Sequence, residues 1–371
     1  MRPESYSRLP NRMSPVRVGL IGCGQIARAV HLPLLRRLPG AHLVAVAEPV
    51  EANRAAAAAS VPEVSLYADY QELISAGVVD AVVICLPPHL HAPSAIAAFE
   101  AGLHVYLEKP LAPSLAEGAR IVDAWRLAGT VGMIGFNFRF HPQVREIRER
   151  LRGGTIGTPL AVRSVFSILP HPLPEWKRVR ETGGGALLDL ASHHVDLVHH
   201  LLGDPVVRVF ASLRSLRGEG DHAAVQLELA SGVPVQTFVS LGTVDEHRME
   251  IVGTSGKLVM DRTELLRPAL AGATLRGARL QRVRRTLAAL DPRLLLRSPG
   301  AEPSFARALE AFVRAAAGGE FAGPTLADGA RSLAVVDAAE RSAATGAPAV
   351  PSWTEGPPAR GASAAADAVR R

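Results

Sequence analysis

Val16-Arg-Val-Gly-Leu-Ile21 is a mostly apolar run that leads directly into Gly22-Cys-Gly24-Gln-Ile-Ala27, where a helical pattern extends to Leu38. A strand, a glycine turn and a helix in this order match the G-x-G-x-x-A form of the dinucleotide-binding fingerprint. The first glycine permits a tight turn, the second lets the backbone approach a pyrophosphate, and the closing alanine allows close packing of helix on strand. The stretch therefore predicts the first βα unit of a nucleotide-binding parallel sheet.

The alternation of short apolar runs and helical patterns continues to about residue 138, which predicts an α/β fold with a doubly wound parallel (Rossmann) sheet over 16–138. Beyond it, several strand-like runs are joined by short turns, which predicts an α+β domain with a mostly antiparallel open sheet over 139–350. We expect residues 1–15 to be flexible and residues 351–371 to be disordered. We expect residues 262–303 to form an Arg-rich insertion, followed by C-terminal helices that pack back on the first domain.

The composition excludes several classes of protein. The 371 residues are 48% hydrophobic and 20% charged, so a large core is expected rather than general disorder. No apolar run is long enough to span a bilayer, and the N-terminus lacks the apolar core of a secretory signal. Two cysteines, Cys23 and Cys85, do not make a disulfide framework. These features predict a cytoplasmic protein without a membrane partner.

The formal charge of +6 raises nucleic acid as a candidate partner, but only three of the 41 basic residues are lysines. Such a bias toward arginine indicates a chain-wide preference, and where lysine remains its particular chemistry is expected to be needed. Arg276–Arg297 holds seven arginines, with leucines and a valine at helical spacing. Because the stretch has no aromatic partners for bases, a solvated or subunit-facing insertion is favoured over a nucleic-acid site.

An acidic residue follows the second predicted strand. Glu48 comes 24 residues after Gly24, close to the spacing at which a carboxylate binds the ribose hydroxyls of a dinucleotide. A carboxylate there repels a 2′-phosphate, so NAD is favoured over NADP. Arg54 lies nearby in the sequence and leaves NADP open.

Two further motifs carry polar side chains toward the expected ligand cleft. Glu108-Lys109-Pro110 follows the fifth strand, at the sheet edge where such folds bind ligands, although Lys109 could also be a surface lysine paired with Glu108. In the apolar helix Leu187–Leu202, polar residues fall on one face: Asp189, His193, Asp196 and His200. That face could be a solvated stripe, a metal site or a ligand site; a metal is least favoured because no cysteine ligand cluster accompanies it.

Together these elements resemble the Gfo/Idh/MocA family, named for glucose–fructose oxidoreductase, inositol dehydrogenase and rhizopine catabolism. The resemblance runs from about Val16 to about Pro351. Its motifs are Gly22–Ala27, Leu86–His91, Glu108-Lys109-Pro110, Phe138–Pro142 and Gly183–Asp196. The family's helix usually reads Asp-x-Gly-x-His, whereas Ala191 replaces the glycine here, and Glu48 stands where aspartate is usual.

The resemblance implies a catalytic set of Lys109, Asp189 and His193. No metal is expected. Besides the glycines and Glu48, the resemblance implies cofactor contacts at Gln25, Ile26, Leu86, Pro87, Pro88, His91, Glu108 and Lys109. It implies substrate contacts at Arg139, His171, Trp176 and Arg178. The expected substrate is a polyol, sugar or sugar derivative, and the expected partner is a second copy of the chain, in a homodimer or homotetramer formed through the C-terminal sheet.

In this interpretation the chain is an NAD(P)-dependent oxidoreductase acting on CH–OH groups. His193, whose unperturbed pKa lies near ~6.5, takes the hydroxyl proton, Asp189 orients its ring, and Lys109 stabilises the developing alkoxide. Two other functions stay open. An NAD-using glycosidase on the same fold would give no net NADH, and a non-enzymatic cofactor-binding regulator would be marked by loss of Lys109 or His193.

Overall fold

The computed structural model describes residues 14–262, 269–272 and 302–353, with 269–272 described as backbone only. The first sheet contains β1 (Val16–Ile21), β2 (Ala41–Ala47), β3 (Ser65–Tyr67), β4 (Ala81–Ile84), β5 (His104–Leu107) and β6 (Gly132–Ile134). All are parallel, in the order β3-β2-β1-β4-β5-β6. This confirms the predicted Rossmann sheet. Its strand order changes direction between β1 and β4, and ligands bind at such a point.

Helices cover both faces of this sheet. The first, α1, begins with a π-helical turn, Ala27–His31, and continues through Leu32–Leu35. The others are α2 (Glu51–Ser60), α3 (Tyr70–Ser75), α4 (His91–Glu100) and α5 (Leu115–Ala128). The Asp69 carboxylate caps α3 by accepting the Gln71 N–H at 2.6 Å, as the sequence predicted.

The second sheet has seven strands in the order β13-β12-β11-β7-β10-β9-β8. They are β7 (Pro159–Ser167), β8 (Val206–Arg214), β9 (His222–Leu229), β10 (Pro234–Ser240), β11 (Glu246–Gly253), β12 (Gly256–Asp261) and β13 (Ala269–Gly272). Every pair is antiparallel except β7 and β10. A parallel pair needs a long crossover connection, and the chain between β7 and β10 provides one.

Three helices accompany the second sheet: α6 (Pro142–Arg152), α7 (Glu175–Arg178) and α8, which starts as a π-helical turn, Leu187–Ala191, and continues over Ser192–Leu202. The crossover between β7 and β10 contains α8. This helix is buried along almost its whole length, so its polar side chains face protein groups or the cleft rather than bulk water.

Two C-terminal helices connect the sheets. In α9 (Pro303–Ala316), Phe312 packs edge-on against Tyr106 of the parallel sheet, with the two ring centroids 5.7 Å apart. The chain around α10 (Leu326–Thr345) bonds to both sheets: the Ile134 N–H donates to the Pro324 carbonyl at 3.1 Å, and the Ala349 N–H donates to the Val209 carbonyl at 2.8 Å. The C-terminal segment therefore ties the two sheets on either side of the cleft together.

Several sequence predictions concern residues 1–13, 263–268, 273–301 and 354–371, which lie outside the described part of the chain. They are the flexible N-terminus, the disordered tail and most of the Arg-rich insertion, including Arg276–Arg297. The domain boundary at residue 138 stays a prediction. Within the described residues, no helix has both the length and the apolar character that crossing a bilayer requires.

Candidate active site

The glycine turn after β1 leaves room for a ligand. Gly22 has φ +87°, and a Cβ on it would lie 2.9 Å from the Cys85 backbone, so only glycine fits. A Cβ on Gly24 would meet nothing within 4 Å, and Gln25 and Ile26 are exposed beside it. The turn therefore offers backbone N–H groups and the start of α1 to an open space. Such a surface fits the pyrophosphate of a dinucleotide.

Glu48 faces this turn from the end of β2. Its Oε2 accepts the Cys23 N–H at 2.6 Å, and its Oε1 accepts the Val50 N–H at 2.9 Å. One lone pair on each oxygen remains for ribose hydroxyls, so the carboxylate both holds the glycine turn and can bind a ribose. Arg54 donates to the Glu48 and Pro49 carbonyls at 2.6 and 3.1 Å.

The loop after β4 forms another wall of the cleft. Leu86 and Pro87 are half-buried there, while Pro88 is buried and lies against Gly183, on which a Cβ would come within 2.4 Å of the proline ring. His91 is fully buried, and its ring nitrogens lie 2.9 and 2.8 Å from the Pro110 and Leu86 carbonyls. The ring therefore braces two loops of the cleft, and its contact with the cofactor stays a prediction.

The side chains of Glu108 and Lys109, at the end of β5, bind different partners. The Glu108 carboxylate is buried and binds His31 of α1, with Oε1 2.7 Å from Nε2. Lys109 instead extends to α8, where Nζ donates to the Asp189 carbonyl at 2.8 Å and to its Oδ1 at 2.6 Å. The alternative in which Lys109 is a surface lysine paired with Glu108 is therefore wrong. His31 was not singled out from the sequence, because an isolated histidine on a helix carries no signal.

Asp189 binds a second lysine as well. Lys177, in α7, donates to Oδ2 at 2.8 Å, so each carboxylate oxygen has its own ammonium. Burial alone would raise the pKa of Asp189, but Lys109 and Lys177 outweigh it and hold the pKa well below its usual range. Sequence reasoning missed Lys177. The scarcity of lysine was the signal for it, because two of the three lysines in the chain meet at this carboxylate.

His193 lies one turn after Asp189, packed on aromatic rings. Its ring centroid is 4.3 Å from that of Phe138 and 5.9 Å from that of Phe136. Burial, and then the nearby Lys109 ammonium, lower the pKa of His193 well below its usual value, so the ring is neutral at pH 7. Asp189 makes no hydrogen bond to His193, so the expectation that it orients this ring is wrong: both carboxylate oxygens bind lysines.

Asp196, on the turn of α8 after His193, has a different partner. Arg139 binds Asp196 with Nε 2.9 Å from Oδ2 and Nη2 2.5 Å from Oδ1, and it also reaches Asp328 at 3.3 Å. Burial opposes the charge of Arg139, but the two carboxylates raise its pKa overall. Its guanidinium is thus committed to α8 and α10, and the predicted substrate contact has no support in this geometry.

The other three predicted substrate residues lie on the segment between β7 and α8. His171 and Arg178 are exposed, and Trp176 is half-buried with its ring 5.4 Å from Lys177 Nζ. Their contact with substrate stays a prediction. Across the described parts of the chain, no group of three or more histidine, cysteine or acidic side chains is placed to hold a metal ion.

Comparison with known proteins agrees with this fold. Residues 16–136 match the profile described as "Oxidoreductase family, NAD-binding Rossmann fold", and residues 148–351 match "Oxidoreductase family, C-terminal alpha/beta domain". The chain is 33% identical to inositol 2-dehydrogenase 1 of Saccharopolyspora erythraea over 347 residues, which cover 90% of this chain and 95% of the relative. It is 31% identical to myo-inositol 2-dehydrogenase of Thermotoga maritima over 263 residues, 66% of this chain and 75% of the relative.

Among solved structures, the fold resembles levoglucosan dehydrogenase in complex with NADH and levoglucosan. The TM-score is 0.79 and the sequence identity 26%, with 91% of this chain and all of the other covered.

Proposed function

Because the chain belongs to the Gfo/Idh/MocA oxidoreductase family, with its NAD-binding Rossmann domain, we propose that it transfers a hydride between NAD and a hydroxyl-bearing carbon of a polyol, sugar or sugar derivative. The observation that carries the proposal is the meeting of Lys109 with Asp189 at 2.6 Å beside the neutral ring of His193. One group comes from the edge of the parallel sheet and two from α8. The names of the relatives support a sugar-like substrate.

The chain's own residues would handle the proton and the developing charge. When bound, with the glycine turn and Glu48 holding the nucleotide, NAD would supply the hydride-accepting chemistry. His193, being neutral, accepts the proton of the substrate hydroxyl as the carbonyl forms, and it returns a proton in the opposite direction. Lys109 directs an N–H at the reacting oxygen and stabilises its alkoxide character. Asp189 holds that ammonium in place, which is a role different from the ring orientation expected from the sequence.

A substrate panel tests this proposal. Purified protein would be incubated with NAD and polyols, sugars, sugar acids or nucleotide sugars, and NADH would be followed by its absorbance. We expect net NADH from at least one member. Cleavage of a glycoside without net NADH would favour the glycosidase, and failure of the protein to bind NADH would contradict the proposal itself.

We further propose that NAD is used rather than NADP, because the Glu48 carboxylate would repel a 2′-phosphate. Glu48→Gln removes the charge but keeps an oxygen for the Cys23 N–H. Since hydrogen bonds to charged groups contribute about 1.5–3 kcal/mol, we expect the Kd of NAD to rise about 10–100-fold and the preference over NADP to shrink.

Calorimetric titration of both nucleotides measures these Kd values. The matched control is Asp80→Asn, which neutralises a carboxylate paired with Arg17 elsewhere on the sheet and should change neither. Tighter binding of NADP than of NAD by the unaltered protein would contradict the assignment.

We also propose that the protein is located in the cytoplasm. Its two cysteines, Cys23 and Cys85, are both free and buried, which fits a reducing compartment.

We also propose that the open face of the second sheet joins copies of the chain into a homodimer or homotetramer. Phe210 and Phe238 are 44% and 40% exposed on this face. Beside them Glu250 binds Arg163 at 2.6 Å and Lys257 at 3.1 Å, which places charged groups next to the apolar patch. Aromatic residues beside paired charges are typical of a protein interface.

Phe238→Asp should weaken this association. A symmetric interface loses the residue twice, at about 1.5–3 kcal/mol each, so the dissociation constant should rise about 10²-fold or more. Sedimentation velocity over a concentration series would measure it. Leu127→Asp, at an 89% exposed position on α5, serves as the control. A monomeric parent protein, or an unchanged Phe238→Asp variant, would refute the interface.

A further inference from the structure

Lys177 makes the site a two-cation site. Its Nζ lies 2.8 Å from Asp189 Oδ2, while Lys109 Nζ lies 2.6 Å from Oδ1. Two ammoniums therefore share one carboxylate, and His193 adds no charge at pH 7. The cluster keeps one net positive charge, which no side chain of the site neutralises.

The fold is built to hold Lys177 at this point. The glycine run Gly183–Gly185 turns back against α7: a Cβ on Gly184 would lie 2.5 Å from the Lys177 carbonyl oxygen, and the Gly185 N–H donates to that oxygen at 3.4 Å. Thr182 Oγ1 donates to the Trp176 carbonyl at 2.9 Å. The glycine run therefore lets the segment carrying Lys177 approach the start of α8.

Lys177 retains hydrogen-bonding capacity. Of its three N–H groups one is donated to Asp189, and within the described residues the other two have no acceptor. The side chain is 26% exposed, so a ligand from solvent can reach the ammonium. Lys109 uses two of its N–H groups on Asp189 and keeps one. The two ammoniums thus keep unused donors on the two sides of one carboxylate.

We propose that Lys177 forms an anion subsite, which binds a carboxylate of the substrate beside the oxygen held by Lys109. The proposal rests on the proposed function and narrows its substrate class to sugar acids, in which a carboxylate supplies the charge that the cluster lacks. An ammonium–carboxylate contact of this kind is a charge-assisted hydrogen bond, and such bonds are among the stronger ones in proteins.

Binding to the enzyme–NADH complex tests the subsite without requiring turnover. The probes are two matched pairs: D-gluconate with D-glucitol, and D-glucuronate with D-glucose. Each pair differs by a carboxylate in place of a hydroxymethyl group. Because the chain has three lysines, selective labelling of lysine side chains with ¹³C and ¹⁵N gives three NMR signals. Lys177→Met and Lys257→Met variants assign them.

We expect at least one acid to bind about 10-fold or more tightly than its neutral partner and to shift the Lys177 signal but not the Lys257 signal. Lys177→Met should abolish the preference, and Lys177→Arg should retain it within a few-fold. Arg314→Met, which removes an exposed cation paired with Glu310 on α9, should leave the preference unchanged. Retention of the preference in Lys177→Met, equal binding of acid and neutral probes, or no saturable binding of either acid would overturn the proposal. Failure of the unaltered protein to bind NADH would instead refute the proposed function.

Discussion

Lys109→Met should lower turnover by about 10²–10³-fold, the loss that follows removal of one donor to an oxyanion. Lys109 donates from the edge of the parallel sheet across the cleft, and no other lysine among the described residues reaches from that side. Asp189 would still bind Lys177, so the buried carboxylate keeps a partner and the fold should persist. The dissociation constant of NAD should change little, because the glycine turn and Glu48 lie elsewhere.

The measurement pairs the Kd of NAD with turnover on the best member of the substrate panel. Lys109→Arg should not restore turnover, since the larger planar guanidinium cannot occupy the same site between Asp189 and the substrate oxygen. Arg314→Met removes an exposed cation paired with Glu310 on α9 and serves as the control. Near-full turnover of Lys109→Met would show that Lys109 has no role in the chemical step.

His193→Asn should cost about 10²–10⁴-fold in turnover, the range for loss of a general base. The low pKa of His193 also fixes the pH dependence of the unaltered protein. A histidine whose folded pKa lies well below 6.5 stays neutral as the pH falls through 6.5, so the rate should hold its plateau there and decline only at lower pH. A histidine with an unperturbed pKa would place that decline near pH ~6.5.

His194 provides the matched control. It is the next residue along α8 and is equally buried, but its Nδ1 lies 3.0 Å from Ser164 Oγ on the second sheet rather than facing the cleft. His194→Gln should therefore keep turnover within a few-fold. Equal losses in the two variants would indicate that α8 is damaged generally and that His193 has no special role.

Sequence patterns predicted the parts of the site that local geometry determines. The strand–glycine–helix order located the turn at Gly22–Ala27, and the confirmed parallel sheet places Lys109 at the edge where ligands bind. The polar face of α8 was also predicted from residue spacing. The direction in which that face points was not, because the helix opens with a π-helical turn that residue spacing does not predict. π-Helical turns are frequent at functional sites.

What the sequence could not predict were pairings between distant residues. Arg139 meets Asp196 across 57 positions and Asp328 across 189, so a residue expected to touch substrate is bound within the protein. The second partner of Asp189 is only 12 positions away, at Lys177, but the contact depends on how the glycine run folds back. Composition indicated that lysines mattered, and only the fold shows which carboxylate they share.

The most direct test of hydride transfer to NAD follows the hydrogen that leaves the substrate carbon. The best panel substrate would be deuterated at its CH–OH carbons and incubated with NAD, and the reduced nucleotide would be analysed by mass spectrometry. Direct hydride transfer predicts net NADH that carries one deuterium. Net NADH without deuterium, or consumption of the substrate with no net NADH, would contradict it.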